Sequence, residues 1–476
     1  MIPILDLHSK LGLHRDNGLF IRNEQPKHTN SRVSDLYEGD FTKYKSNFKV
    51  EYALIKLNPH SFFLFNNEPL LLFFDFSDNK KHDELSKKVW NFNKSALIFV
   101  NTPNELKIYN GFKLEKSGLL QILDTIKTLA DEKLENYNYW KIVTAELWNT
   151  QEVDFRKKTR VDTKLLENIK AARDVLIDKN SENPLLEKHA HRIIGRLIFV
   201  RYLIDRKVNL DYTGIGKELL TKDELPELIL QKDNLFNFFE YLLRKFNGDI
   251  LPLNGEQNAI NQSHLKVLSR LFRGEEIIPR QQSLFNIFDF DFIPIEFVSN
   301  IYETFLGEKQ STDRAFYTPP FLVDYILEQT VKPFVSEQHV PDRVSCKTVD
   351  VTCGSGIFLC ETLRTLINKY IELANPDKSL KKFQEKIKQL LKENIFGNDI
   401  NPEAIEIAKF SLFITLLDYF EDPKHIEGFE FPNISNNFSN YDVFDTELDT
   451  IFGKDKLVEP DFIIGTPPWG KIDNSI

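Results

Sequence analysis

Three short stretches of this chain place polar groups where a small ligand can reach them. In KTVDVTCGSGIFLCETLRTLI an apolar run ends in Asp350, turns through Gly354 and Gly356, and continues as a helical pattern. Glycines in such a turn let the backbone approach a ligand closely, and the strand beneath holds the turn at the carboxyl edge of a sheet. A nucleoside cofactor suits that place; a plain strand-to-helix turn is the alternative. In NIFGNDINPEAIEIAKFSLFITLL a second short strand delivers Asp399 to the same edge, and Pro402 opens a helix. A carboxylate at the end of the second strand can accept hydrogen bonds from both hydroxyls of a ribose. Standing alone, it reads better as a helix cap; at this spacing after the first stretch, ribose contact is the expectation.

The third stretch, DFIIGTPPWGKI, is an apolar strand running into a rigid turn of two prolines that presents Trp469. Carbonyls held in such a turn can point at a ligand amine, and the indole offers a flat face to a base. An exocyclic amine is a poor nucleophile because its lone pair is delocalised into the ring. Accepting hydrogen bonds from its two protons drives it toward a tetrahedral, nucleophilic geometry, which is what methylating it requires.

These stretches need a parallel sheet to bring them together. From Asp291 onward the pattern runs helix, loop, strand, glycine turn, helix, strand, helix, strand, the order of a parallel sheet with crossover helices. Between Glu51 and Gly111, EYALIKL, SFFLF, LLLFFDF, ALIFV and ELKIY read as strands around a helical ELSKKVWNF, giving a small α/β module. From Ser117 to Phe272 the period becomes 3.6, in GLLQILDTIKTLA, LLENIKAARDVLI and IIGRLIFVRYLIDR, which predicts a helical middle. His191, Arg192, Arg196, Arg201 and Arg206 on the last of these, and RKKTR at Arg156 to Arg160, form either a solvated face or a phosphate contact.

At 476 residues, 41% hydrophobic and 28% charged, the chain has room for two to four ordinary domains. A net charge of -10 argues against a uniformly basic nucleic-acid-binding surface, though not against a local one. The absence of a long apolar run or a leader pattern makes a cytoplasmic protein without a membrane partner the expectation. Cys346, Cys353 and Cys360 recur every seven residues, which suits neither a disulfide framework nor a zinc site, so reduced thiols and no metal are expected. The forty phenylalanines and single methionine reflect base composition more than mechanism.

The three stretches, with DRAFYTPPFLVDYIL upstream, resemble the amino DNA methyltransferases whose cofactor motifs come first, as in type I modification subunits and fused type IIG restriction-modification enzymes. The resemblance implies a Rossmann-like α/β fold, S-adenosylmethionine as cofactor, and methylation of the exocyclic amine of adenine in double-stranded DNA within a defence system. By similarity, Tyr317, Thr318 and Pro319 hold the methionine end of the cofactor. Asp350, Cys353, Gly354 and Gly356 form its loop, Asp399 binds ribose, and Thr466, Pro467, Pro468 and Trp469 are the catalytic turn. Asp442, in YDVFD, is a contact to the adenine edge or a surface loop residue. GRLIFVRYLIDR and FDFDFIPIEFVSNIYETFL look like the helical connector of the fused enzymes, and the first module resembles their nuclease. The implied domains are 1–115, a degenerate nuclease-like module, 116–285, a helical connector, and 286–476, the methyltransferase sheet.

The chain departs from the family pattern in three places. Thr466 stands where the family has Asn, Asp or Ser. Only eight residues follow Pro468, so about four of seven sheet strands are accounted for. A fragment, an interrupted gene product, or half of a split enzyme completed by a second chain with the target-recognition domain is expected. Glu51 and Asp75 are candidate acids for the first module, yet the position of its lysine reads Ser77, so the module is not expected to cut DNA. A non-catalytic remnant, and a protein or RNA methyltransferase using the same turn, are the alternative functions.

Overall fold

The computed structural model describes residues 2–24, 32–41, 48–76, 82–149, 155, 160–210, 220–246, 253, 255–275, 277, 288–293, 318–378, 381–420, 422–443 and 459–466. The architecture is mixed α/β with two sheets and many helices, in two compact units. One comprises Met1–Leu165 and Ile287–Pro294; the other comprises Leu166–Asn286 and Ile295–Ile476.

The first unit is built on a seven-stranded sheet of order β2-β1-β3-β4-β5-β6-β7. Its strands are β1 (Leu19–Arg22), β2 (Tyr37–Glu38), β3 (Ser61–Phe65), β4 (Glu68–Asp75), β5 (Leu97–Asn101), β6 (Leu106–Leu114) and β7 (Leu120–Ile126). Only β4 and β5 run parallel, joined through helix α1 (His82–Phe92), which carries the expected ELSKKVWNF. Phe63, Phe73 and Phe99 from three neighbouring strands share one buried cluster. Beneath it His8 Nε2 lies 2.8 Å from Ser61 Oγ. Burial lowers the His8 imidazole to about 4, with His60 adding to the effect, so it stays neutral.

Two sequence expectations fail in this unit. EYALIKL lies in a helix, Phe48–Leu57, because Val50, Ala53, Leu54 and Leu57 recur at helical spacing and all four are buried. Glu51 therefore sits on a helix rather than at a strand end, whereas Asp75 does end β4; Ser77 lies outside the described residues. GLLQILDTI is not helical but forms β7, antiparallel to β6. Its apolar residues suit either period; the turn at Gly118, with φ +79°, returns the chain onto the open flank of β6, where its backbone gains sheet partners.

The second unit contains the helices expected of the middle region, among them α2 (Glu187–Asp205). Its basic residues are not a solvated face. His191, Arg196, Arg201 and Arg206 are buried and paired: His191 with Glu403, Arg196 with Glu256, Arg201 with Asp205 at 2.8 Å, and Arg206 with Asp418 at 3.0 Å. Arg192 donates twice to Glu406, at 2.7 and 3.1 Å. These side chains serve the interior and are not available to phosphate; Arg156 to Thr159 lie outside the described residues.

The same unit holds a four-stranded, wholly parallel sheet of order β10-β9-β8-β11. Its strands are β8 (Thr348–Asp350), β9 (Ile395–Asn398), β10 (Phe438–Ser439) and β11 (Phe462–Ile464). Helices α3 (Ile357–Ala374) and α4 (Lys381–Asn394) connect β8 to β9, and α5 (Pro402–Leu417) follows β9. The expected succession of strand, turn and helix is present, with two helices rather than one between β8 and β9 and an additional short strand, β10, ahead of β11. Among the described residues no helix is long and apolar enough to cross a membrane, and no three metal-ligating side chains converge.

Candidate functional site

Parallel pairing of β9, β8 and β11 sets their carboxyl ends side by side, so three loops meet at one edge of the sheet. The loop after β8 turns through Gly354 and Gly356, with φ of +52° and +84°. A Cβ on Gly356 would come within 3.0 Å of Ala408 Cβ on α5, so this glycine permits close packing of turn against helix. A Cβ on Gly354 would meet nothing within 4 Å, so this glycine faces open space.

Asp399 follows β9 and holds that turn. One carboxylate oxygen accepts the Gly354 amide at 2.9 Å, and the other accepts the Asn401 amide at 2.8 Å. Asn401 in turn caps α5 through the Glu403 amide. Burial pushes the Asp399 carboxyl up, while the two amide donors oppose the shift. The side chain remains partly exposed, with lone pairs to spare for further donors.

Asp350 ends β8 and is 1% exposed. It accepts the Thr352 amide at 3.1 Å, and the backbone of Gly465 passes so close that a Cβ there would stand 2.5 Å from Asp350 Oδ1. Burial lifts the Asp350 carboxyl to about 7; the Thr352 amide opposes this and the charge of Asp399 reinforces it. Cys353 is buried beside these two acids, and burial raises its thiol well above the ordinary range. Its amide donates to the Asn398 carbonyl at 2.8 Å, tying the turn to β9. Cys346 and Cys360 are likewise buried and form no disulfide.

Thr466 enters from β11. Its hydroxyl lies 2.7 Å from that of Thr318, and its carbonyl accepts the Thr352 hydroxyl at 3.3 Å. Pro319 follows at the head of a helix, Pro320–Gln329. The structure thus brings together Thr318, Asp350, Cys353, Gly354, Gly356, Asp399 and Thr466. Tyr317, Pro467, Pro468 and Trp469 lie outside the described residues. Asp442 is partly buried and follows Tyr441, whose amide donates to the Asn398 side chain at 3.1 Å.

Asn398 is a residue the motifs did not single out. Its amide nitrogen donates to the carbonyls of Val351 and Tyr441, both at 3.0 Å, and its oxygen accepts from Ser439 Oγ at 2.9 Å. One buried side chain thereby joins the loops after β8 and β10. The signal was available: a polar residue closing the apolar strand IFGN needs partners inside the protein. Asn440, bonded to the carbonyls of Asp399 and Ile400, extends the same seam.

The family described as Eco57I restriction-modification methylase matches residues 393–476, from the end of α4 through Asp399 to Thr466 and beyond. The adenine-specific methyltransferase PglX of Streptomyces coelicolor is 29% identical over 121 residues, 25% of this chain and 9% of its own. The likeness is to restriction-modification methyltransferases. The type II restriction enzyme and methyltransferase RM.Eco57I of Escherichia coli is 27% identical over 204 residues, 37% of this chain and 19% of that protein. The chain thus spans under a fifth of the length of these two relatives. Among solved structures, a DrdV–DNA complex aligns over 93% of this chain and 38% of its own, with a TM-score of 0.29 and 14% identity. A type I restriction modification subunit from Vibrio vulnificus aligns over 65% of this chain and 61% of its own, with a TM-score of 0.28 and 16% identity. The sequence similarities point to a methyltransferase-like protein of a restriction-modification system.

Proposed function

We propose that this chain carries the cofactor and acceptor half of a DNA methyltransferase that moves a methyl group from S-adenosylmethionine to the exocyclic amine of adenine. The observation that carries the reading is the meeting, at one sheet edge, of the Gly354 turn held by Asp399 with the Thr466 hydroxyl held by Thr318. The first pair suits a nucleoside: open space above Gly354 leaves room for it, and the partly exposed Asp399 carboxylate can accept ribose hydroxyls. The second supplies a hydrogen-bond acceptor for an amine.

When bound, S-adenosylmethionine supplies the electrophilic methyl group. The residues of this chain do the positioning. Asp399 and the Gly354 turn hold the nucleoside end, and Thr318 and Pro319 lie toward the methionine end by similarity. Thr466 accepts a hydrogen bond from the substrate amine and drives its nitrogen toward a nucleophilic geometry, with the Pro467 carbonyl as the second acceptor. A target adenine flipped from the duplex stacks on Trp469, and Asp442 contacts its edge. No covalent enzyme intermediate is needed.

Double-stranded DNA is the proposed substrate. A second chain that extends the sheet and supplies target recognition is part of the reading. Ile463 of β11 is 56% exposed, and among the described residues β11 has a strand neighbour on one side only. The test is transfer of labelled methyl to unmethylated DNA, with N6-methyladenine sought in the digested product and cofactor binding followed by calorimetry. Trp469→Ala should lower transfer far more than cofactor affinity. Equal losses in both would refute the stacking role, and no cofactor binding by the full chain would sink the proposal.

A further inference from the structure

Thr466 is held at two points. Its carbonyl is engaged by the Thr352 hydroxyl at 3.3 Å, and Thr352 is itself fixed through its amide to the buried Asp350 at 3.1 Å. Its own hydroxyl lies 2.7 Å from that of Thr318, which is 8% exposed. At that separation the two oxygens share one proton, and either can be its donor.

A hydroxyl has one proton and two lone pairs. To accept from an amine that brings only protons, the Thr466 oxygen must send its own proton elsewhere. The Thr318 oxygen is there to receive it. Threonine is stiffer than serine about χ1, which helps fix the position of Oγ1, and the hydrogen bond then selects the direction of its proton.

We infer that Thr318 is a positioning residue for the acceptor: it accepts a hydrogen bond from the Thr466 hydroxyl and leaves that oxygen's lone pairs to the substrate amine. This rests on the methyltransferase reading above, and it assigns Thr318 a task other than holding the cofactor. It also accounts for a threonine at a position where the family has Asn, Asp or Ser. The hydroxyl is made into a one-way acceptor by its neighbour, a property that an amide or carboxylate oxygen has unaided.

The test uses the full chain as Thr318→Val, Thr318→Ser, Thr466→Val and the double valine variant. Cofactor affinity is read by calorimetry, and kcat and KM by labelled methyl transfer to unmethylated DNA. Thr318→Val should lower kcat roughly tenfold, the loss of about one hydrogen bond, with a clearly smaller change in cofactor affinity. Thr318→Ser should restore the rate. Adding Thr318→Val to Thr466→Val should cost nothing more, since the pair acts as a unit. A fall in cofactor affinity matching the fall in kcat/KM would make Thr318 a cofactor contact and overturn the inference. So would a wild-type kcat in Thr318→Val, or multiplicative losses in the double variant. A wild-type chain that binds cofactor yet methylates no DNA would overturn the methyltransferase reading, and this role with it, and is told apart because it needs no variant. Should Thr318→Val fail to fold, the comparison of Thr318→Ser with Thr318→Ala carries the same outcomes.

Discussion

The carboxylate of Asp399 accepts the amide of Gly354 at 2.9 Å, so the acid closing one strand holds the turn that follows its neighbour. An acid read from sequence as a ribose ligand is therefore also a clamp on the loop beside it. Its substitution removes both. For Asp399→Ala we expect cofactor affinity to drop roughly 10- to 100-fold, the worth of one charge-assisted hydrogen bond, while the sheet persists. Calorimetric titration with circular dichroism as the folding control checks this. Wild-type affinity in the variant would remove Asp399 from the site.

The two glycines of the turn should fail differently. Gly356→Ala meets Ala408 at 3.0 Å and requires a left-handed backbone, so it should destabilise the second unit by about 2 kcal/mol. Gly354→Ala carries only the backbone penalty of about 1 kcal/mol, because its Cβ points into open space. That same methyl intrudes where the cofactor is proposed to lie, so affinity should fall with little loss of stability. Urea unfolding beside cofactor titration separates the two; equal stability losses would contradict the geometry.

Asn398→Leu should destabilise the second unit by about 2–3 kcal/mol, because it leaves the Val351 and Tyr441 carbonyls and the Ser439 hydroxyl without this partner. Hydrogen exchange should quicken at Tyr441 while the amides of α3 stay protected. Unchanged exchange at Tyr441 would mean that the seam is held by other contacts.

The two units should respond to pH with opposite signs. Asp350 is lifted by burial to about 7 in the fold, above its unfolded value near 4, so the folded state keeps its proton over that range. Its contribution to stability is full below about pH 4 and is lost as pH rises toward 7. His8 is lowered by burial to about 4, below its unfolded value near 6.5, so its contribution is present above pH 6.5 and lost as pH falls toward 4. Thermal unfolding between pH 4 and pH 8, with Asp350→Asn and His8→Gln as controls, should show each slope shrink with its own residue, Asp399 and His60 being shifted in the same directions and carrying part of the remainder. A slope that its substitution leaves undiminished belongs to another group.

The parallel sheet was legible because its first two motifs are each a strand, a turn and a helix in immediate succession, and the order of elements leaves few topologies. The first sheet was less legible. EYALIKL spans seven residues, too few to separate the two periods until Val50 is included, and GLLQILDTI becomes a strand only because β6 offers it a partner. Arg192, Arg196 and Arg206 read as a charged face because their partners, Glu406, Glu256 and Asp418, lie far along the chain. Distance in sequence also hid the pairing of Thr318 with Thr466, 148 positions apart.

Chain separation has a kinetic consequence. The Gly354 turn meets Asp399 across 45 positions, whereas Thr352 meets Thr466 across 114. Longer loops close at greater entropic cost and non-local pairing is slow, so β8 and β9 are set to join early and β11 to dock late. During synthesis and refolding, a species would then arise that holds the nucleoside cradle and lacks the acceptor. Such an intermediate would present the turn clamped by Asp399 before the Thr466 hydroxyl is in place, so the order of strand docking would set when the two halves of the proposed site meet.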